Sequence, residues 1–341
     1  MKLRISIVFL IVTLAATGQD LPDLTNYQHN WMIFNPAFAG SRDALSSSLF
    51  FKDNAILDPS RPAPKYGQVS IHSPFKKASE NSWGFSYFNK KEPGMGTLGI
   101  NFSDPALYVE HNVAGYYSHK IKLGGGQLSM GLSAIISLES VDNSVLDIRQ
   151  NPDPNFMVDM EPVLLANFSA GALYYNSDFF AGLSVPRLAR SITLIDGNNY
   201  SEVSSGDTTG TGTVSIGESS FIADYNFMLA GGRQFELSSN LTLYPSILAG
   251  YVPSVGFKGI NYMAGMNVGL LGEKLWFGTI YKSSNAFSIN MNIEIMNSNL
   301  LIGLSYDFPL SSQAGYFDNA FEIVLRYDNI KRVVTKAPFY F

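Results

Sequence analysis

The stretch "QLSMGLSAIISLE", residues 127–139, repeats with a period of two. Leu128, Met130, Leu132, Ala134, Ile136 and Leu138 fall on one side, and Ser129, Gly131, Ser133, Ser137 and Glu139 on the other; Ile135 alone breaks the pattern. Alternation of that kind marks a β-strand with one apolar face, because successive side chains of a strand point to opposite sides. Strands of soluble proteins run to about 5 or 6 residues, whereas a tilted strand crossing a membrane needs about 9 to 11. This one is long enough to cross.

The same pattern recurs along the chain. Over 286–296, Phe287, Ile289, Met291, Ile293 and Ile295 alternate with Ser288, Asn290, Asn292 and Glu294, and 221–231, 241–251, 260–270 and 321–327 behave alike. The expected strands are 44–52, 65–73, 82–90, 107–120, 127–140, 164–175, 178–187, 219–233, 240–252, 259–270, 273–282, 285–296, 299–308 and 319–328. They number about 14, an even count that suits a closed bacterial barrel. The extended piece 96–103 is assigned to a loop.

Connection lengths check the count independently. With the N-terminus in the periplasm, alternate connections are short ("KLGGGQ" 122–127, "NSD" 176–178, "LGEK" 271–274, "NSN" 297–299) or long (53–64, 91–106, 141–163, 188–218), and only 283–285 breaks the trend. Short turns on one side and long loops on the other are the habit of outer-membrane barrels. Closure is required because hydrocarbon cannot satisfy free backbone groups. Tyr87-Phe88, Tyr116-Tyr117, Tyr174-Tyr175, Phe179-Phe180 and Trp276-Phe277 are the expected interfacial aromatics. Aromatic strand residues are as common in soluble β cores, so strand length and loop parity carry the reading.

Composition agrees. The chain is 46% hydrophobic and only 15% charged, against about 25% charged in ordinary soluble domains. Zero cysteines exclude disulfides, thiolate metal sites and a cysteine nucleophile, and a net charge of -5 offers no footprint for nucleic acid. The opening "MKLRISIVFLIVTLAATGQD" carries Lys2 and Arg4, an apolar run from Ile5 to Ala15 and the small residues Ala16-Thr17-Gly18. It reads as a signal peptide, residues 1–18, with the mature chain starting at Gln19. The remaining divisions are an N-terminal periplasmic, plug-like segment 19–43, a barrel 44–328 and a tail 329–341, in which Lys331, Arg332 and Lys336 have no assigned role.

Residues that could carry chemistry are few. His111 and His119 share a strand face but lie roughly 27 Å apart at 3.4 Å per residue, too far to share a metal. His29 and His72 have no ligand pattern around them. Gly124-Gly125-Gly126 lacks the Lys-Ser/Thr of a phosphate loop and reads as a hairpin turn. Gly-x-Ser recurs at Gly84-Phe85-Ser86, Gly131-Leu132-Ser133, Gly182-Leu183-Ser184 and Gly303-Leu304-Ser305, yet none completes a nucleophile elbow. Small residues facing a lumen explain them. No enzyme, cofactor or metal is expected. The connection 141–163, with Asp147, Asp153, Asp159 and Glu161, lacks calcium-loop spacing. Together with 204–220, which holds Asp207, it is the expected place for a surface partner to dock.

With these features in view, "YQHNWMIFNPAFAGSRD" (27–43), "YYSHKIKLGGGQLSMGLSAI" (116–135), "FSAGALYYNSDFFAGLSVPRL" (168–188) and "EIVLRYD" (322–328) resemble the PorP/SprF family of the type IX secretion system in Bacteroidetes. The element Asn35, Pro36, Ala37, Phe38, Ala39, Gly40 and Ser41 matches the family's Asn-Pro-Ala-aromatic-Ala-Gly-Ser run. FadL-like barrels also carry an Asn-Pro-Ala element, so its combination with the hairpins makes the resemblance specific. The resemblance implies a non-enzymatic outer-membrane barrel that assists secretion or surface attachment of a cargo with a type B C-terminal sorting domain. Its partners would be outer-membrane lipids, that cargo and other type IX components; the alternative is a FadL-like or porin-like transporter of small molecules, hydrophobic ones included. Trp31, Met32, Ile33 and Phe34 are expected to tuck into the periplasmic end of the barrel, with Asn35-Pro36 turning the chain into the first strand. Arginine is expected to be costly at Met291, on the lipid face, and tolerated at Asn290.

Overall fold

The computed structural model describes residues 24–54, 63–76, 79–93, 106–141, 160–188, 192–193, 226–253, 260–295, 299–310 and 319–329. Fourteen antiparallel strands close into one barrel. They are β1 (Leu45–Asp53), β2 (Lys65–Pro74), β3 (Asn81–Pro93), β4 (Ala106–Leu123), β5 (Gly126–Val141), β6 (Met160–Tyr175) and β7 (Phe179–Val185). There follow β8 (Phe227–Arg233), β9 (Leu241–Tyr251), β10 (Ile260–Leu270), β11 (Leu275–Lys282), β12 (Ala286–Ile295), β13 (Leu300–Pro309) and β14 (Ala320–Asn329). Two short pieces extend the wall: Ile192–Thr193 pairs with β6 beyond β7, and Phe235–Ser238 carries β8 onward along β9. Each strand pairs with the next, and β14 pairs with β1, Leu49 opposite Leu325. Each of the fourteen strands thus has a partner on both sides, which is what a sheet surrounded by hydrocarbon requires.

Every expected strand is present, with ends shifted by a few residues where described. The start expected for β8 at 219, the extended piece 96–103, residues 1–18 and the basic tail lie outside the described residues. β4, β5 and β6 hold 18, 16 and 16 residues, well beyond the crossing length, so the wall stands taller on that side at the end bearing the long connections. That end is called the loop end and the opposite one the turn end. The connections at the turn end are short. Gly124, at φ 57, makes the two-residue β4–β5 turn, and the Asn176 side chain accepts from the Asp178 and Phe179 amides between β6 and β7. The short connection 283–285 lies at the loop end, where Asn285 takes φ 62.

The face assignments from periodicity hold. Leu132, Ile136, Leu183, Leu229, Phe277 and Ile289 are exposed on the outer face, while Ser129, Ser133, Ser184, Ser288, Asn290 and Asn292 are buried on the inner one. Ile135, the exception, points inward and packs on the core. The expected aromatic pairs need correcting, since neighbours on a strand cannot share a face. Tyr117 and Phe277 face outward, but Tyr116, Phe180, Tyr175 and Trp276 are buried inside.

The inward correction reaches Asn290 too. It is 4% exposed, so an arginine there meets a filled lumen and the tolerance expected from sequence does not follow. Position 137 on β5 is the better inward control, half-buried and nearer the loop end. Leu132→Arg, 59% exposed at mid-strand, should cost about 2 to 4 kcal/mol of folding stability in lipid. Ser137→Arg should cost little, and equal losses in urea titrations from vesicles would refute the face assignment.

Candidate functional site: the filled lumen

What fills the barrel is the chain's own beginning. Residues 24–41 are buried apart from the half-buried Ile33. They run inside the wall as three single 3-10 turns, Tyr27–His29, Trp31–Ile33 and Pro36–Phe38. Short turns follow from the sequence: Asn26, Asn30 and Asn35 interrupt the apolar residues, and Pro36 stands at the first position of the last turn, where its missing donor costs nothing. The Asn35 side chain caps that turn by accepting from the Ala37 amide at 2.9 Å.

The apolar residues of the segment form the core of the lumen. Trp31 stacks on Phe38 with ring centroids 5.3 Å apart, and meets Phe180 and Tyr27 edge-on at 5.1 and 4.9 Å. Offset and edge-on aromatic contacts of this kind add about 0.5 to 1.5 kcal/mol each beyond burial.

The wall is shaped to receive the family element. A Cβ on Gly131 would overlap the Pro36–Ala37 peptide, and one on Gly171 would overlap the Asn35 side chain. Asn35 Nδ2 donates to the carbonyls of Ala172 and Leu183 at 3.1 and 3.3 Å. Serine hydroxyls of the wall satisfy the segment's carbonyls: Ser184 donates to Phe34 at 2.6 Å, Ser129 to Ala37 at 2.7 Å and Ser118 to Ala39 at 2.6 Å. Gly40 takes φ 69 with Ser82 directly against it, and its amide donates to His72 Nδ1 at 3.0 Å. Buried backbone groups need such partners, and the wall supplies them where the bonds within the segment's own 3-10 turns do not.

Two charged clusters hold the ends. Toward the turn end, Asp328 accepts from Arg42 at 3.2 Å, Arg326 at 3.0 Å and Ser46 at 2.6 Å. Arg326 Nη1 also donates to His29 Nδ1 at 2.7 Å, which makes that nitrogen the acceptor and leaves Nε2–H to reach Asn292 Oδ1 at 3.0 Å. His29 is therefore neutral. Lys120 closes this end on Asp43 at 2.5 Å and on the Gly40 carbonyl at 3.0 Å.

The other cluster sits toward the loop end. Asp307 accepts from Lys52 at 2.9 Å, Lys282 at 2.7 Å and Thr25 Oγ1 at 2.6 Å. Glu322 receives the Thr25 amide at 2.7 Å and the Asn26 amide. Two ammoniums and two carboxylates, all nearly inaccessible, thus grip the segment at Thr25 and Asn26, beside the loop end of β1. The segment spans most of the lumen, farther than the tuck at one end expected from sequence.

The structure brings Asn35 to Ser41 together in one seat and gives His29 and His72 work that sequence reading missed. The recurrent Gly-x-Ser pairs were the available signal: Gly131, Gly182 and Ser184 line the seat, Gly84 lies against Met32, and Ser305 accepts from Asn26. His111 and His119 are elsewhere, on the outer face of β4, bonded to Tyr87 and Asn81. Asp147, Asp153, Asp159 and Asp207 lie outside the described residues, as does the Glu161 side chain, although its backbone opens β6. Among the described residues, no group of three or more His, Asp or Glu is placed to hold a metal.

Solved barrels resemble the chain in outline. Omp33 of Acinetobacter baumannii is 6% identical with a TM-score of 0.44, covering 84% of this chain and 99% of its own. A Pseudomonas aeruginosa FadL homologue is 12% identical with a TM-score of 0.44, covering 92% and 96%. BamA of Haemophilus ducreyi is 8% identical with a TM-score of 0.40, covering 83% and 70%. No curated protein sequence matches the chain. A family model described as type IX secretion system membrane protein PorP/SprF matches residues 16–327. Spanning the filled lumen, its seat and every strand of the wall, that match makes the chain a member of the PorP/SprF family of outer-membrane secretion-system barrels.

Proposed function

We propose that this barrel assists export and cell-surface attachment of a cargo bearing a type B C-terminal sorting domain, and performs no covalent chemistry itself. The observation that carries this reading is the lumen, filled by residues 24–41, which hydrogen-bond to at least six strands. A filled barrel serves as a fixed platform in the membrane better than as an open pore. In this reading the turn end faces the periplasm and the loop end the medium. Cargo contact falls to the connections after β5 and β7, where Asp147, Asp153, Asp159 and Asp207 stand, and to Glu161 at the start of β6. Other type IX components would meet the turns.

Deleting the gene should remove one sorting-domain protein from the cell surface without changing general permeability. The FadL-like alternative predicts instead that reconstituted vesicles admit small or hydrophobic solutes. Solute entry with unchanged surface proteins would overturn the secretion reading.

A further inference from the structure

We propose that the outer wall carries a binding site for one diacyl phospholipid, in a groove between β7, β8 and β9 near the turn end. The proposal rests on the orientation given under Proposed function, which makes the turn-end leaflet the periplasmic one.

The groove follows from the sequence. Pro245 lies in the middle of β9, where a strand residue normally donates to its neighbour; without an N–H the ladder to β8 lapses opposite Arg233 and Gln234, and β8 splits there. Pairing resumes at Phe235 opposite Leu243. One row farther along, Gly231 stands between Ala181 and Ile247. A Cβ on Gly231 would meet nothing closer than 3.6 Å, so the floor is open where a side chain would otherwise project. The resulting depression has a volume of 540 Å³ and is lined by Phe179, Gly231, Arg233, Phe235, Pro245 and Ile247, with Ser246 behind.

Its chemistry selects the occupant. Phe179, Phe235 and Ile247 are exposed on the lipid-facing surface and give the depression the apolar lining an acyl chain takes. Arg233 is exposed at one end, its guanidinium 4.9 Å from the Phe235 ring centroid. A cation on the lipid face is expensive at the midplane and tolerated only near the interface. Arg233 lies opposite Phe179, the first residue of β7 after its short turn, which places it at that interface. A guanidinium braced on an aromatic ring and facing headgroups is suited to a phosphate. The inward face of the same wall meets the segment: Ser246 Oγ lies 3.0 Å from Tyr27 Oη. One backbone thickness therefore separates the bound chain from the filled lumen.

The test is native mass spectrometry of the barrel purified in mild detergent, with co-purified lipid identified by fragmentation. The wild type should retain phospholipid through delipidating detergent washes. Gly231→Leu, which fills the trough, should lose it, as should Arg233→Gln, whose trough is intact; Gly115→Leu, on the outer face of β4 with open space around it, should keep it. Heat-modifiable migration on gels certifies folding, and if Gly231→Leu does not fold, Arg233→Gln decides. Retention by both variants, or no retention by the wild type, would overturn the proposal. Lipopolysaccharide in place of phospholipid would overturn the assigned leaflet and the membrane orientation, but not the secretion role, which surface proteins report separately.

Discussion

Gly131→Leu should expel the N-terminal segment from the barrel while leaving the barrel closed. The Cβ alone would overlap the Pro36–Ala37 peptide, and a peptide cannot swing aside as the end of a flexible side chain can. Overpacking of a tight core typically costs about 1 to 3 kcal/mol, occasionally more, and here the strain falls on a seat built from several hydrogen bonds at once. Ser129 and Ser184, which satisfy the Ala37 and Phe34 carbonyls, would lose their partners together. The expected readouts are rapid proteolysis between Gln28 and Phe38 and ion conductance in planar bilayers, neither of which is expected of the wild type. Gly115→Leu should show neither change, since nothing lies within 4 Å of its Cβ position. A protease-resistant, non-conducting Gly131→Leu barrel would mean that the seat is not where the segment is held.

Asp307→Ala should be the most destabilising single change in the wall. It leaves the ammoniums of Lys52 and Lys282, 0% and 1% exposed, without the carboxylate they share, with Glu322 still nearby. Removing one partner from a buried ion cluster costs about 3 to 5 kcal/mol, because the charge left behind stays desolvated. Thr25 loses its acceptor in the same step, so the loop-end hold on the segment weakens with the wall. Asp307→Asn, which keeps the shape and one acceptor, should cost less, and adding Lys282→Met to Asp307→Ala should recover part of the loss. Urea unfolding in detergent measures each. An Asp307→Ala barrel as stable as the wild type would show that the cluster is hydrated.

The wall was legible in the sequence because its two solvents differ. Lipid outside and a polar, tightly filled lumen inside write an alternation that survives in almost every strand, from Leu128 to Leu138 and from Phe287 to Ile293. Turns were legible for a similar reason, since Gly124, Asn176 and Asn285 each meet a backbone demand. Consecutive aromatics misled because composition ignores faces: Tyr116 and Trp276 are lumen residues.

The reach of the segment was not legible. Nothing within residues 24–44 says that Thr25 and Asn26 meet Glu322, nearly three hundred positions away. Likewise the charges at Lys52, Lys282, Asp307 and Glu322 look unrelated until closure of β14 on β1 brings their strands to one side of the barrel. The Gly-x-Ser pairs were visible as small and inward, but their role as a seat needs the three-dimensional partner. A recurrent small residue on the inner face of a long strand marks either open lumen or a docked backbone, and periodicity does not separate the two.

The most direct test uses the absence of native cysteine. Thr25→Cys and Ser41→Cys place single thiols at the two ends of the buried segment, each site 3% exposed or less, and Ser177→Cys places one in an exposed turn. Maleimide labelling of the folded protein in detergent should modify Cys at 177 quickly and the other two only after unfolding. Fast labelling at both 25 and 41 in a heat-modifiable, folded barrel would contradict the account, because the lumen would then not hold the chain's own beginning.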